Sequence, residues 1–245
     1  MRSLLNNFEH YHNPNQFIQW LGTNNKAITV KRKLDWLSRC YEYHKLENPW
    51  QEIKVKVPAK PMPTPFSDVE VQKILNSCKE IARHYYDFLY FCFAVGARLG
   101  ETSALKWSEV SEDCSRVVIC DQKRNKIRQF KLPDSVVAML KHRERSEDFV
   151  FTSAEGHKIA LNNFRNRYWI PILTKANVDY RKPYTTRATC ISHALLAGEN
   201  PMRIAQITGH DVAVLYENYG GYIESSPKLP DVFAKSLESS EGVSP

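Results

Sequence analysis

The chain has 245 residues, of which 42% are apolar, and its formal net charge is +7. This length can bury one large core or two small ones, and the composition is that of a soluble globular protein. No stretch approaches the ~20 apolar residues that span a bilayer, and the N-terminus lacks the apolar segment of a signal peptide. The six cysteines show neither a Cys-x-x-Cys pair nor zinc-finger spacing with histidine. We therefore expect a reduced, intracellular protein.

The first quarter of the chain is strongly basic. Residues 1–62 contain ten Lys or Arg against five Asp or Glu, which accounts for +5 of the net charge of +7. A short helix is predicted around Phe17–Leu21, and Thr29 is predicted to cap a second helix from Val30 to about Lys45. Concentrated positive charge favours a polyanion such as DNA, and a merely solubilising surface is the equal alternative. The candidate DNA-binding residues on the second helix are Lys31, Arg32, Lys33 and Arg39.

A proline-rich segment, 58–65, is predicted to separate residues 1–57 from residues 66–245. It has four prolines in eight residues, which prevent a helix and favour an extended, semi-stiff connector. The region before it is too small to be a comfortable independent domain.

The region after the linker is predicted to be mainly helical with a small antiparallel pair of strands. Ser67 and Glu70 form a capping-box pattern that opens a helix, and an apolar helix over 85–94 breaks at Gly96. Further helices are predicted over 187–197, over 201–209, after Asp211 and over 230–237, and strands over 116–120, 127–132 and 149–152. The predicted fold class is therefore mainly α with a small antiparallel β-sheet (α+β).

Arg98 lies at the predicted helix break, with Glu101 three residues further on. An arginine fork can bind two oxygens of one phosphate, and Glu101 is placed to orient that fork. The alternative is an ordinary surface Arg–Glu pair.

A basic turn between the two predicted strands contains Lys123, Arg124 and Lys126. A lysine can act as a general acid when burial and nearby cations lower its pKa. Lys126 is a rival of Lys123 for this role, and a solvated basic hairpin is the alternative for all three residues.

The C-terminal helices carry the remaining candidates. Arg187 opens a predicted helix, where free N–H groups favour an anion, although a surface arginine at a helix end is the alternative. Gly209 ends the next helix and places His210 at the start of another, where a histidine commonly caps or packs. Tyr219 follows His210 by nine residues, and Tyr216 and Tyr222 are its rivals.

In order and spacing these segments resemble the tyrosine recombinase (phage integrase) family. The resemblance covers about residues 66–225, and residues 28–60 look like the last part of the family's core-binding domain, which here looks incomplete. Tyr184 stands where the family has histidine. Because a phenol has a pKa of ~10, it is a poor proton acceptor at neutral pH, and a proton-shuttle role for Tyr184 is in doubt.

The resemblance implies a site-specific recombinase or integrase that cleaves and rejoins double-stranded DNA through a 3′-phosphotyrosine, without a metal ion or ATP. Tyr219 would be the nucleophile, and Arg98 and Arg187 would stabilise charge on the non-bridging oxygens. The remaining roles fall to Lys123, which would protonate the departing 5′ oxygen, and to His210 and Tyr184, which would hold the phosphate.

The resemblance also implies a homotetramer acting on two DNA sites, with the segment Phe233–Leu237 as the candidate for docking on a neighbour. The same resemblance implies accessory DNA-bending proteins as partners and a cytoplasmic, nucleoid-associated location. Two alternatives remain open at this point: a type IB topoisomerase-like enzyme, and a non-enzymatic DNA-binding protein whose catalytic site has decayed.

Overall fold

The computed structural model describes residues 13–58, 61–121, 126–145 and 148–223. The chain divides into two compact units, Met1–Pro61 and Met62–Pro245. The point of division lies inside the proline-rich segment that the sequence marks as a linker.

Among the described residues of the first unit there are two helices, α1 (Pro14–Asn24) and α2 (Ala27–Tyr43). The Asn13 side chain caps α1 by accepting the N–H of Asn15 at 2.9 Å, which satisfies a backbone donor at the helix start. The apolar faces of both helices meet in a small core that consists of Phe17, Leu21, Val30, Leu34, Leu37 and Trp50.

The predicted start of α2 is wrong, because Thr29 is not its cap. The N–H of Thr29 donates to the carbonyl of Lys26 at 2.8 Å, so Thr29 already lies in the first helical turn and Lys26 is the N-cap residue. The apolar face of α2 consists of Val30, Leu34 and Leu37, which are buried.

The basic residues of α2 lie mostly outside its apolar face. The side chains of Lys31, Arg32 and Arg39 are exposed. The Nζ of Lys33 instead donates to the Asn25 side chain at 3.1 Å in a half-buried position. Three of the four predicted DNA-binding residues on this helix are therefore accessible to a polyanion.

The second unit is mainly helical, with one antiparallel pair of strands in its described residues. Strands β1 (Arg116–Asp121) and β2 (Lys126–Lys131) pair so that Arg116 lies opposite Lys131. Its α-helices, within the residues that the structure describes, are α3 (Asp68–Ile81), α4 (Tyr86–Val95), α5 (Leu99–Ala104), α6 (Asp134–Lys141), α7 (Ile170–Ala176), α8 (Thr185–Leu196), α9 (Pro201–Thr208) and α10 (Val212–Tyr219).

Local signals in the sequence account for several of these boundaries. The capping box at the start of α3 is confirmed: the Ser67 hydroxyl accepts the N–H of Glu70 at 3.2 Å, and the Glu70 carboxylate accepts the N–H of Ser67 at 2.8 Å. The Asn200 side chain caps α9 by accepting the N–H of Met202 at 2.8 Å. Gly96 ends α4 with φ of +65°, a conformation that glycine adopts without steric cost.

The predicted strand over 149–152 is wrong. Phe149 and Thr152 form isolated bridges to two separate segments, at Lys106 and Lys158, so no continuous ladder forms there. The predicted helix over 230–237 lies outside the described residues.

Two apolar clusters stabilise the second unit. The larger one surrounds α4 and includes the fully buried side chains of Phe88, Phe91 and Trp169. The smaller one joins α8, α9 and α10 through residues such as Ile191 and Leu215. This second cluster fixes three helices against each other: α8 carries Arg187, α10 carries Tyr219, and the turn between α9 and α10 carries His210. Within the described ranges, no helix has the length and apolarity needed to cross a bilayer.

Candidate active site

Arg98 is the N-cap residue of α5, and Glu101 on the first turn holds its side chain. The Nη1 of Arg98 lies 2.6 Å from Oε1 of Glu101, and the backbone N–H of Arg98 donates to Oε2 at 3.0 Å. The Arg98 side chain keeps 28% of its surface exposed. A single carboxylate thus fixes the direction of a cation that solvent, and a substrate, can still reach.

Arg187 lies in the first turn of α8, is fully buried and joins two helix ends. Its Nη1 donates to the carbonyl of Gly96 at 2.9 Å, and its Nη2 donates to the carbonyl of Thr208 at 2.6 Å. Carbonyls at helix C-termini lack intrahelical partners and carry partial negative charge, so a guanidinium satisfies both. The alternative prediction of a surface arginine at this position is therefore wrong.

His210 connects Arg187 to Tyr219. The Nη2 of Arg187 lies 3.0 Å from Nδ1 of His210, and because a guanidinium can only donate, this contact favours the tautomer with its proton on Nε2. The rings of His210 and Tyr219 pack edge to face, with centroids 6.0 Å apart and planes at 65°. Arginine, imidazole and phenol therefore form one continuous series of contacts.

Tyr219 ends α10, and its side chain is only 4% exposed. Burial raises the pKa of Tyr219 to about 12; the neighbouring phenols of Tyr184 and Tyr222 act in the same direction, and Arg187 opposes them. Tyr219 is therefore neutral at physiological pH. Any nucleophilic role requires that its proton leave during the attack.

The two rival tyrosines are placed differently. Tyr216 is 49% exposed. The hydroxyl of Tyr222 donates to the carbonyl of Pro63 at 2.6 Å and is thereby tied to the end of the linker segment. Since Tyr219 packs against His210, the geometry favours Tyr219 over both rivals.

Tyr184 immediately precedes α8 and is 47% exposed. It is close enough to raise the pKa of Tyr219 and to influence that of Arg187. The structure therefore brings Tyr184 to the same region as Arg187, His210 and Tyr219.

Arg128 on β2 is a buried cation that is not among the predicted site residues. Its Nη2 lies 2.7 Å from Oε2 of Glu101, and its Nη1 donates to the carbonyl of Ile207 at 3.0 Å. The alternation of side chains along the strand could have identified it. Arg128 lies on the same face as Phe130 and Leu132, both of which pack on the core. A charged residue on an inward face indicates a buried partner.

The electrostatics of this cluster favour an anion. Burial alone would raise the pKa of Glu101, but the backbone N–H of Arg98 and the charge of Arg128 outweigh that effect and lower it. Burial lowers the pKa of Arg187, and the positive charges of Arg98 and Arg128 act in the same direction. Together the three guanidiniums exceed the charge of Glu101, so the cluster can bind a phosphate.

Two predicted site residues, Lys123 and Arg124, lie outside the described residues. Lys126 is described as the first residue of β2, but its side chain is not. In the part of the chain that the structure covers, no group of three or more His, Cys, Asp or Glu side chains is placed to hold a metal ion.

The chain is similar in sequence and in fold to known proteins. The sequence profile of the phage integrase family matches residues 66–219. A tyrosine recombinase XerC-like protein of Caldanaerobacter subterraneus subsp. tengcongensis is 26% identical over 234 residues, covering 74% of this chain and 59% of that protein. This chain therefore spans less than two thirds of the length of that relative.

Solved structures share the fold. The Tn1549 transposon integrase in complex with circular intermediate DNA superposes with a TM-score of 0.70 at 13% identity, covering 93% of this chain and 83% of that one. A lambda integrase dimer bound to a COC′ core site gives 0.69 at 11% identity, covering 89% and 81%.

Proposed function

The chain belongs to the phage integrase family, and from this premise we propose that it cleaves and rejoins double-stranded DNA at specific sites through a 3′-phosphotyrosine intermediate. The observation that carries the proposal is the series Arg187–His210–Tyr219. A fully buried guanidinium contacts the imidazole at 3.0 Å, and the imidazole packs on the phenol with centroids 6.0 Å apart. A cation, a hydrogen-bond donor and a nucleophile are thereby available to one phosphate.

In this proposal Arg98 and Arg187 stabilise the charge that develops on the non-bridging oxygens. Arg98 offers an accessible fork whose direction Glu101 fixes. Most of the donors of Arg187 are used by Gly96, Thr208 and His210, but its Nε is buried without a hydrogen-bond partner among the described residues. Such a donor is available to a phosphate oxygen, and leaving it unsatisfied costs free energy.

The proposed chemistry begins with attack of the Tyr219 oxygen on phosphorus. The bond from phosphorus to the 5′ oxygen breaks, Lys123 supplies a proton to that oxygen, and the proton of Tyr219 passes to solvent. A 5′ hydroxyl then reverses the step. Because the covalent intermediate keeps the energy of the phosphodiester, neither ATP nor a metal ion is needed.

His210 and Tyr184 hold the phosphate in this scheme. The tautomer favoured at His210 carries its proton on Nε2, which lies 3.4 Å from Nη2 of Arg187 and can donate to a phosphate oxygen beside that guanidinium. Tyr184 is half exposed beside the start of α8, where free N–H groups also favour an anion.

The domain assignment and the assembly are further parts of the proposal. Residues 1–57 form a partial core-binding region whose exposed cations contact DNA phosphates, residues 58–65 are the linker, and residues 66–245 are the catalytic domain. The protein acts as a homotetramer on two DNA sites, with accessory DNA-bending proteins as further partners. The exposed side chains of Lys31, Arg32 and Arg39 support the role of the first region.

A nicked duplex tests this function. The substrate carries a break next to the scissile phosphate, so the short 5′ product diffuses away and the covalent adduct accumulates. The duplexes are taken from DNA that flanks the gene and contains inverted repeats. Adduct formation followed by strand exchange supports a recombinase, whereas relaxation of a supercoiled plasmid without exchange identifies a type IB topoisomerase-like enzyme.

The other candidate is a DNA-binding protein without catalysis. The observation that favours it is Tyr184, a phenol where the family has histidine. Tight, salt-dependent binding to the same duplexes without any adduct would support this candidate.

A further inference from the structure

Arg128 joins three segments that lie far apart in the sequence. It belongs to β2, the strand that follows the basic turn. One end of its guanidinium contacts Glu101 at 2.7 Å, and the other contacts the carbonyl of Ile207 at 3.0 Å. Glu101 in turn holds Arg98, and Ile207 lies three residues before His210.

Close packing at Gly209 shows how tightly Arg128 is held against the turn before His210. A Cβ atom added to Gly209 would lie 2.9 Å from both Cδ and Nη1 of Arg128, which is closer than carbon and nitrogen atoms tolerate. The absence of a side chain at Gly209 therefore provides the space that the Arg128 side chain occupies. Arg128 therefore packs directly on the turn that presents His210.

The guanidinium of Arg128 is directed into the protein. Its side chain is 7% exposed, against 28% for Arg98. Since its contacts are made with Glu101 and Ile207, Arg128 is placed to act through other residues rather than on the substrate.

We propose that Arg128 is a positioning residue for DNA cleavage, which holds Glu101, and through it the Arg98 guanidinium, at a fixed place relative to the His210 turn. This inference rests on the proposed function of Arg98 as a phosphate-binding arginine. Without Arg128, Glu101 keeps its contacts with Arg98 but loses its contact with β2, which fixes the position of both residues. Small displacements of a catalytic group are expensive: about 1 Å can cost roughly 100-fold in rate.

A substrate with a neutral phosphate distinguishes positioning from general structural support. A methylphosphonate replaces one non-bridging oxygen with a methyl group and removes the negative charge that Arg98 faces. We expect Arg128→Met to form adducts about 100-fold more slowly on the phosphodiester and to regain most of that loss on the methylphosphonate, as Arg98→Ala should. Arg116→Met, an exposed arginine on the neighbouring strand β1, should behave like the wild type on both substrates.

Thermal unfolding curves identify a temperature at which every variant is folded, and the rates are compared at that temperature. An equal loss on both substrates, or no loss on either, would overturn the proposal. Should Arg128→Met fail to fold, Arg128→Lys takes its place, because it keeps the charge but cannot form both contacts of the fork. Arg128→Lys should show a smaller loss with the same dependence on the substrate.

A second measurement does not depend on activity. The side-chain Nε–H signal of Arg98, assigned by its disappearance in Arg98→Lys in a ¹⁵N-arginine-labelled protein, should shift in Arg128→Met and stay in place in Arg116→Met. An unchanged signal in Arg128→Met contradicts the positioning role even if the wild type is active. If the wild type forms no adduct but the Arg98 signal still shifts in Arg128→Met, the result supports the positioning of Arg98 and refutes the proposed function instead.

Discussion

The Nη2 atom of Arg187 lies 3.0 Å from Nδ1 of His210, so a fully buried cation and the ring that packs on Tyr219 act as one unit. The same guanidinium bonds the carbonyls of Gly96 and Thr208. Arg187 therefore contributes both to the fold and to the proposed chemistry, and its substitution should show both effects.

Replacing each arginine with lysine should separate these two contributions. Arg187→Lys should abolish cleavage and lower the free energy of unfolding by about 3 kcal/mol, because one ammonium cannot replace two buried charge-assisted hydrogen bonds. Arg98→Lys should abolish cleavage with a much smaller change in stability, since Arg98 is partly exposed. Denaturant unfolding and adduct assays measure the two quantities. Wild-type cleavage by either variant would remove that residue from the site.

Gly209 should tolerate alanine less well than Gly198. Both glycines have positive φ, +70° and +83°, and this conformation costs a residue with a Cβ about 1–2 kcal/mol. An added Cβ meets no atom within 4 Å at Gly198, but it meets the pinned Arg128 side chain at 2.9 Å at Gly209. Gly209→Ala should therefore lose roughly 1–3 kcal/mol more than Gly198→Ala. Equal losses in denaturant unfolding would show that Arg128 moves aside freely.

The sequence predicted much of the fold because several helix ends depend on local signals. The Ser67–Glu70 capping box, the Asn200–Pro201 start of α9 and the glycine at the end of α4 are all readable over a few residues. Thr29 misled the prediction of α2, because the residues before it can also join the first turn. The strand predicted over 149–152 failed because its residues pair with two different segments, which a local pattern does not reveal.

The site was less predictable because its key contacts are between distant residues. Order and spacing identified Arg98, Arg187, His210 and Tyr219 as candidates. They did not indicate that Arg187 is buried, because its partners are carbonyls at Gly96 and Thr208. They also missed Arg128. On this strand the charged Arg128 is buried and its apolar neighbour Ile127 is 72% exposed, which is the reverse of the usual pattern.

The high pKa of Tyr219 predicts an alkaline transition. Because the pKa in the folded protein, about 12, exceeds the ordinary value of ~10, Tyr219 stabilises the fold fully below pH ~10. This contribution, roughly 2–3 kcal/mol, is lost as the pH rises through about 12. The difference in tyrosinate absorbance between the wild type and Tyr219→Phe should therefore appear close to pH 12. A difference that titrates near pH 10 would show that the phenol is not buried.

The exposed cations of α2 should contribute to the salt dependence of DNA binding. Replacing Lys31, Arg32 and Arg39 with glutamine should weaken binding to related and unrelated duplexes and reduce the slope of log K against log salt by about 0.9 per lost contact. Lys33, whose Nζ already donates to Asn25, provides the control and should change the slope less. An unchanged slope in the triple variant would mean that these cations are only solvated.

The most direct test of the account is the identity of the residue that becomes joined to DNA. The wild type is trapped on the nicked duplex, digested with nuclease and protease, and the modified peptide is sequenced by mass spectrometry, with Tyr216→Phe, Tyr219→Phe and Tyr222→Phe in parallel. We expect the 3′-phosphate on Tyr219 and no adduct from Tyr219→Phe, which should still bind the duplex because it loses one oxygen and little surface. An adduct that survives in Tyr219→Phe, or that maps to Tyr216 or Tyr222, would contradict the account.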